Sequence, residues 1–313
     1  MDYRLPSPKN PLRVGTRASP LALIQAQEVC LRLSAEFNLP NNSFEIIKIK
    51  TRGDSIINRP LSEVGGKGLF TTEIEDQLIK GGIDMAVHSM KDVPVTQPDG
   101  LLIDAYLPRE DVRDAFLSFN NIPLKKLGIG EVVGTSSIRR QAQLLNYRND
   151  LKVVSLRGNV QTRIKKLKKK IVSGTFLAMA GLNRLKVKNV PFHAIDVEQM
   201  LPAVAQGAIG VERRSDDFLS AYLLERINHF ETEKCLLCER AYLRKLDGSC
   251  QTPIAGLAEL QNGNIKFTAE IIKPDGSHRL KEMDVSLVDD AEDLGLELAG
   301  RLLSTAPSDF FIT

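Results

Sequence analysis

The chain of 313 residues has no continuous apolar run of the roughly 18 residues that a membrane-spanning helix needs. Its opening, MDYRLPSPKNPLR, lacks the apolar core of a secretory signal and reads as a short lead-in to a first strand. Cysteine is scarce: four residues are too few for a disulfide scaffold, and with no signal they point to a reducing, cytoplasmic setting. The four histidines show no paired spacing that could complete a zinc site beside Cys235 and Cys238, so no metal is expected. That C-x-x-C lies inside the helical stretch ETEKCLLCERAYLRKL rather than opening a helix after a strand, which favours packing over redox chemistry. Net charge is only +3, and aromatic residues, 5% of the chain, do not interleave with basic ones. A nucleic-acid binder is therefore a weak reading.

What is present is local charge on an alternating scaffold. Between Ser137 and Val190 there are fourteen Lys or Arg and one acid, Asp150. A basic middle in a near-neutral chain suggests a local anion site. Short apolar runs alternate with helical patterns: LRVGTR, FEIIKIKT, IDMAVHS, LLIDAYL, VVGTSS, KVVSLR, TFLAMAG and AIGVERR read as strands. Ser19 before Pro20, and Asn159 before VQTRIKKLKKK, read as helix N-caps. This is α/β patterning with mostly parallel sheets. VGTRAS and VGTSS each open such a half, suggesting two similar lobes, with AIGVERR a late strand that returns to the first. Beyond about residue 215 two helices lead into KLDGSCQTPIAG. The runs IAGLAEL, IKFTAEII and EMDVSLV follow, separated by the turn signals NGN and PDGS, and then a last amphipathic helix. That part is a separate α+β domain.

The arginines fall where such sheets bind ligands. Arg17, Arg139, Arg140, Arg157, Arg163 and Arg184 lie at strand-to-helix junctions. There helix N-termini offer unpaired N–H groups, and guanidinium forks grip carboxylates or phosphates. Several at separate junctions imply a ligand with several anionic groups. The run Lys165, Lys166 and Lys168 to Lys170 reads as a solvated face. In HSMKDVP, Lys91 and Asp92 sit at the same edge; Asp92 reads either as a catalytic carboxylate or as a turn residue before Pro94, and His88 as a packed strand histidine. GGKGLF lacks phosphate-loop spacing and reads as a loop entering a helix, with Lys67 able to reach the ligand. TRGD carries no weight alone. Cys250 is the one cysteine in a loop, where a thiol can serve as nucleophile or attachment point.

Taken in order, VGTRASPLALIQA, TRGD, VGGKGLFTTEIE, DMAVHSMKDVP, REDVRDAF, VGTSSIRRQ, SLRGNVQTR, AGLNRL, LPAVAQGAIG and ERAYLRKLDGSCQTPI resemble the hydroxymethylbilane synthase (porphobilinogen deaminase) family over almost the whole chain. The resemblance implies a transferase of tetrapyrrole and haem biosynthesis. Such an enzyme joins four porphobilinogen units head to tail with release of ammonia, and the hydroxymethylbilane passes to uroporphyrinogen-III synthase. It implies a dipyrromethane cofactor held by a thioether to Cys250, and Asp92 as the catalytic residue stabilising the cationic azafulvene. Arg17, Ser19, Lys91, Ser137, Arg139, Arg140, Arg157, Arg163, Arg184 and Gln206 match positions that hold the acetate and propionate arms or the cofactor. Lys67 and Phe70 match a mobile loop. The implied fold is two lobes like type II periplasmic binding proteins, plus an α+β domain with a three-stranded antiparallel sheet. The boundaries are 11–107 with 203–225, 108–202, and 226–313. A monomer with no nucleic-acid or membrane partner is expected. Ser249, Ala205 and Glu63 depart from the family pattern, where Gly, Gly and Lys are frequent. The competing reading is a non-catalytic two-lobed anion-binding protein, which leaves Cys250 and the third domain unexplained.

Overall fold

A computed structural model describes residues 4–55, 68–188, 190–247, 253–307 and 310. Its strands are β1 (Leu12–Arg17), β2 (Phe44–Ile49), β3 (Met85–Ser89), β4 (Leu101–Tyr106), β5 (Asp114–Ser118), β6 (Val132–Gly134), β7 (Lys152–Val154), β8 (Gly174–Ala178), β9 (His193–Ala194), β10 (Ile209–Arg214), β11 (Ile254–Gln261), β12 (Asn264–Ile272) and β13 (Arg279–Leu287). Its helices are α1 (Pro20–Glu36), α2 (Arg52–Ser55), α3 (Thr72–Ile79), α4 (Ile138–Tyr147), α5 (Val160–Lys168), α6 (Met179–Arg184), α7 (Phe218–Glu225), α8 (Phe230–Lys245) and α9 (Ala291–Thr305).

The strands form two five-stranded mixed sheets, ordered β2-β1-β3-β10-β4 and β7-β6-β8-β5-β9, and a three-stranded antiparallel sheet, β11-β12-β13. The expected architecture of two α/β lobes and an α+β domain is therefore the one observed, but the sheets are mixed rather than mostly parallel, because β10 in one and β5 in the other pair antiparallel with both neighbours. In the first sheet β2, β1 and β3 run parallel, and β10 enters antiparallel between β3 and β4. In the second, β7, β6 and β8 run parallel and β5 antiparallel to β8. The chain divides into two compact units. One comprises Met1–Ile56, Gly66–Arg109 and Ala208–Glu233 and holds the first sheet; the other includes Glu110–Gly207 and Lys234–Thr313 and holds the other two sheets.

Local chemistry sets the strand-to-helix corners. Ser19 accepts a hydrogen bond from the Ala22 N–H, and Pro20 occupies the first helical position, where a missing N–H costs nothing. Ala22, Ala26, Val29 and Leu33 recur at helical spacing and are buried; Ala26, Val29 and Leu33 pack with Val14, Met85 and Val87 of the sheet. Asn159 caps α5 in the same manner through Thr162 N–H, 2.9 Å away. Two readings are corrected here. TFLAMAG is not a strand throughout: β8 stops at Ala178 and the chain turns at once into α6, because Met179, Ala180 and Leu182 find burial on a helical period. The second is β5, which the alternation did not reveal. All five of its residues are buried, so no polar face alternates with the apolar one.

In the second unit, Tyr242 and Phe267 pack edge to face at 5.1 Å, joining α8 to the small sheet. The turn between β12 and β13 docks on α4, where Asn146 donates to the Gly276 carbonyl at 2.8 Å. Gly276 has φ +77°, and a Cβ there would lie 2.5 Å from the Asn146 backbone nitrogen and 2.8 Å from the Ala142 carbonyl oxygen. Neither atom can rotate away. Gly276→Ala is expected to cost about 2 kcal/mol in chemical denaturation, from left-handed strain and a clash with helix backbone.

Candidate active site

In the first unit β1 ends at Arg17, and β3 runs into the tight turn Met90–Asp92. Both lie at the carboxyl edge of parallel strands, the usual ligand edge of an α/β sheet. Arg17 Nη2 is 2.5 Å from Asp54 Oδ1, and its Nε is 3.4 Å from Asp54 Oδ2. Nη1 lies 3.6 Å from Asp92 Oδ2. The Phe70 ring lies under the guanidinium, 4.1 Å from centroid to Cζ. Such a stacked, two-sided arrangement suits arginine and not lysine. Burial alone would raise the Asp54 carboxyl, but the hydrogen bond and charge of Arg17, with bonds from Thr51, hold it below the ordinary value. Lys91 and Asp92 are half-buried neighbours in one turn, and Ser19 is engaged as the α1 cap. Behind this edge His88 is 5% exposed and its Nε2 is 3.0 Å from Glu212 Oε2, so it is packed, as read from the sequence.

In the second unit the centre is Asp114, the first residue of β5, with no exposed surface. Arg139 Nη2 donates to its Oδ2 at 2.7 Å, and Arg140 Nη2 to its Oδ1 at 2.7 Å. Gln206 Nε2 adds a third donor at 3.0 Å. Ser137 caps α4 and so sets where both arginines leave the helix. Burial by itself would raise the Asp114 carboxyl, but two adjacent guanidinium charges and their hydrogen bonds drive it well below the carboxylate range. Burial lowers Arg139, yet an arginine keeps its proton at any physiological pH. Two cations on one carboxylate leave a surplus of one positive charge. The buried Nε of Arg139 has no acceptor among the described residues.

The other arginines lie at neighbouring junctions. Arg184, in the last turn of α6, donates to the Gly207 carbonyl at 3.1 Å, beside Gln206. Arg163 Nε donates to Gly158 O at 2.9 Å, and Lys166 to Arg157 O at 3.0 Å, so Arg157 and Arg163 flank the α5 N-terminus. Burial lowers the Arg157 guanidinium from its usual value. Ala205, where the resemblance leads one to expect Gly, has φ +60° and donates its N–H to Glu239 Oε2 at 2.6 Å. The left-handed backbone there explains why glycine suits that position. Cys250, Ser249, Glu63 and Lys67 lie outside the described residues. Cys30, Cys235 and Cys238 are buried, and burial pushes the Cys30 thiol up to about 12.

Two residues here were missed in the sequence. Asp54 belonged to TRGD, a stretch given no weight alone, although it follows β2 at the same sheet edge as Arg17. Asp114 stood in REDVRDAF without a role; an acid set directly before the apolar run Ala115 to Leu117 was its available signal.

Fold and site together define an α/β protein whose parallel strands end in cationic side chains, a class suited to ligands with several carboxylates. The chain matches the family model described as porphobilinogen deaminase, dipyromethane cofactor binding domain, over residues 12–221. It matches the model of the C-terminal domain of porphobilinogen deaminase over 233–304. It is 54% identical to the porphobilinogen deaminase of Paracoccus denitrificans (strain Pd 1222), across 98% of each chain. It is 46% identical to the chloroplastic enzyme of Pisum sativum, across 96% of this chain and 83% of that one. Among solved structures it is similar to the VFT2 domain of Bordetella pertussis BvgS, with 16% identity and a TM-score of 0.41 over 69% of this chain and 85% of that one. The chain belongs to the porphobilinogen deaminase (hydroxymethylbilane synthase) family, transferases of tetrapyrrole biosynthesis with a dipyrromethane cofactor domain. The surplus positive charge around Asp114 and the unmet donor of Arg139 fit such a carboxylate-bearing group.

Asp114→Asn is expected to destabilise the fold by about 3–5 kcal/mol, because two guanidiniums stay buried without their counter-charge. The native carboxyl is held below its unfolded value, so its contribution is complete above about pH 4 and fades as pH falls from there through the native value. Denaturation midpoints of wild type and variant should therefore converge on acidification.

Proposed function

We propose that Asp92 is the catalytic group of a porphobilinogen-polymerising transferase and that Cys250 carries its dipyrromethane by a thioether. The observation that carries the first part is the place of Asp92, half-exposed at the ligand edge of β3 and 3.6 Å from the Arg17 guanidinium. At that separation Arg17 attracts Asp92 without a hydrogen bond, so the carboxylate keeps its lone pairs for ligand N–H groups. Its negative charge opposes the cation that develops on the substrate as ammonia leaves, and it can assist the proton transfers. When bound, the cofactor supplies the nucleophilic pyrrole carbon to which the first unit is joined.

The remaining side chains bind and orient. Arg17, Lys91, Arg157, Arg163 and Arg184 hold acetate and propionate arms. Ser19 and Ser137 add hydroxyls at helix N-termini, and Arg139, Arg140 and Gln206 set positive potential around Asp114. Phe70 covers Arg17, and by the resemblance Phe70 and Lys67 are assigned to the family's mobile loop. We assign 11–107 with 203–225 to a first lobe, 108–202 to a second and 226–313 to the cysteine-bearing domain. The substrate is porphobilinogen, and the product passes to uroporphyrinogen-III synthase. We propose a cytoplasmic monomer without nucleic-acid or membrane partners. No described helix is long and apolar enough to cross a membrane.

Intact mass tests the attachment. Protein from cells making porphobilinogen should carry the added mass of two condensed pyrrole units, and Cys250→Ser should not; a bare wild-type mass rejects the cofactor assignment. For the chemistry, Asp92→Asn should keep the fold and lose about 10²-fold or more in kcat. Near-normal turnover rejects Asp92.

A further inference from the structure

Asp54 has no part in the roles assigned above, yet it is the tightest partner of Arg17. Thr51 Oγ1 donates to Asp54 Oδ2 at 2.8 Å, and the Asp54 N–H bonds the Thr51 carbonyl at 3.1 Å. Gly53 N–H bonds the Leu69 carbonyl at 2.9 Å, tying this corner to the segment that carries Phe70. A Cβ on Gly53 would lie 2.2 Å from the Phe70 ring, so only glycine lets the ring seat against the corner. Asp54 thus stands on a built platform, with its carboxylate aimed at one edge of a guanidinium that Phe70 covers on one face.

Charge decides what that platform does. Asp54, Arg17 and Asp92 together carry one net negative charge. Arg17 is shared unequally: it bonds Asp54 at 2.5 Å and stops 3.6 Å short of Asp92, beyond hydrogen-bond range. Lys91, in the turn of Asp92 itself, is the neighbouring cation in sequence. If the Asp54 charge were removed, the nearest remaining carboxylate for Arg17 would be Asp92. A closed Arg17–Asp92 pair would occupy the oxygens of Asp92 and cancel its charge toward a cationic substrate.

We propose that Asp54 is a positioning residue for the reaction: it holds Arg17 back from Asp92 and so preserves the Asp92 charge for the cation formed as ammonia departs. This rests on the reading of Asp92 as the catalytic carboxylate. It acts on the transition state rather than on ground-state binding, which separates it from a role in gripping substrate carboxylates.

The test is steady-state kinetics on the cofactor-loaded enzyme, with melting temperature measured alongside. Asp54→Asn should lower kcat by about 10–100-fold with KM changed by less than about threefold. Asp54→Glu, which keeps the charge, should recover most of kcat. In an Arg17→Lys background Asp54→Asn should cost much less, because its effect runs through the guanidinium. Unchanged kcat, a loss confined to KM, no recovery in Asp54→Glu, or full additivity with Arg17→Lys each overturns the proposal. Should Asp54→Asn not fold, Thr51→Val loosens the same carboxylate and should lower kcat in the same sense by a smaller factor; unaltered kcat there also overturns it. Asp92→Asn, assayed in parallel, separates the two ideas. If it stays active, the reading of Asp92 fails; if it is dead while Asp54→Asn is normal, only the role of Asp54 fails.

Discussion

One buried carboxylate organises the cationic half of this protein. Asp114 has no exposed surface and receives hydrogen bonds from Arg139, Arg140 and Gln206. Taking one guanidinium out of water is costly, and two side by side would repel one another. Asp114 makes the pair tolerable and ties together four pieces of chain: the start of β5, the first turn of α4, the Leu201 carbonyl bonded by Arg139, and the turn holding Gln206. It neutralises only one of the two cations, so the corner keeps a positive surplus.

The first unit uses the opposite ratio. There one guanidinium, Arg17, stands between two carboxylates, Asp54 and Asp92. The two corners are built alike, each a parallel strand running into a capped helix, with Ser19 in one and Ser137 in the other. They differ in the sign of the surplus charge.

The α+β domain is joined to α4 through a backbone-level fit rather than a salt bridge. Gly276 brings the β12–β13 turn against the helix backbone, where no side chain could follow, and the Asn146 amide holds it there. The helix so clamped is the one whose first turn presents Arg139 and Arg140. Packing of Tyr242 on Phe267 completes the domain's core, and Cys235 and Cys238 are buried.

By itself, the sequence determined the alternation of strands and helices over most of the chain, the caps at Ser19 and Asn159, the antiparallel α+β tail, the family, and which cationic residues fall near strand ends. Those depend on neighbours a few residues apart, through periodicity, capping and turn chemistry. It did not disclose β5, because a strand buried on both faces shows no alternation, nor the helical turn after Ala178, where tertiary burial overrode an apolar run that could extend either way. Only the tertiary structure decided that Arg139 and Arg140 both bond Asp114, about 25 residues away in sequence, and that Arg17 lies nearer to Asp54 than to Asp92. An ion pair is a matter of distance in space. Charge, unlike periodicity, leaves no mark along the chain of which partner the fold will bring to it.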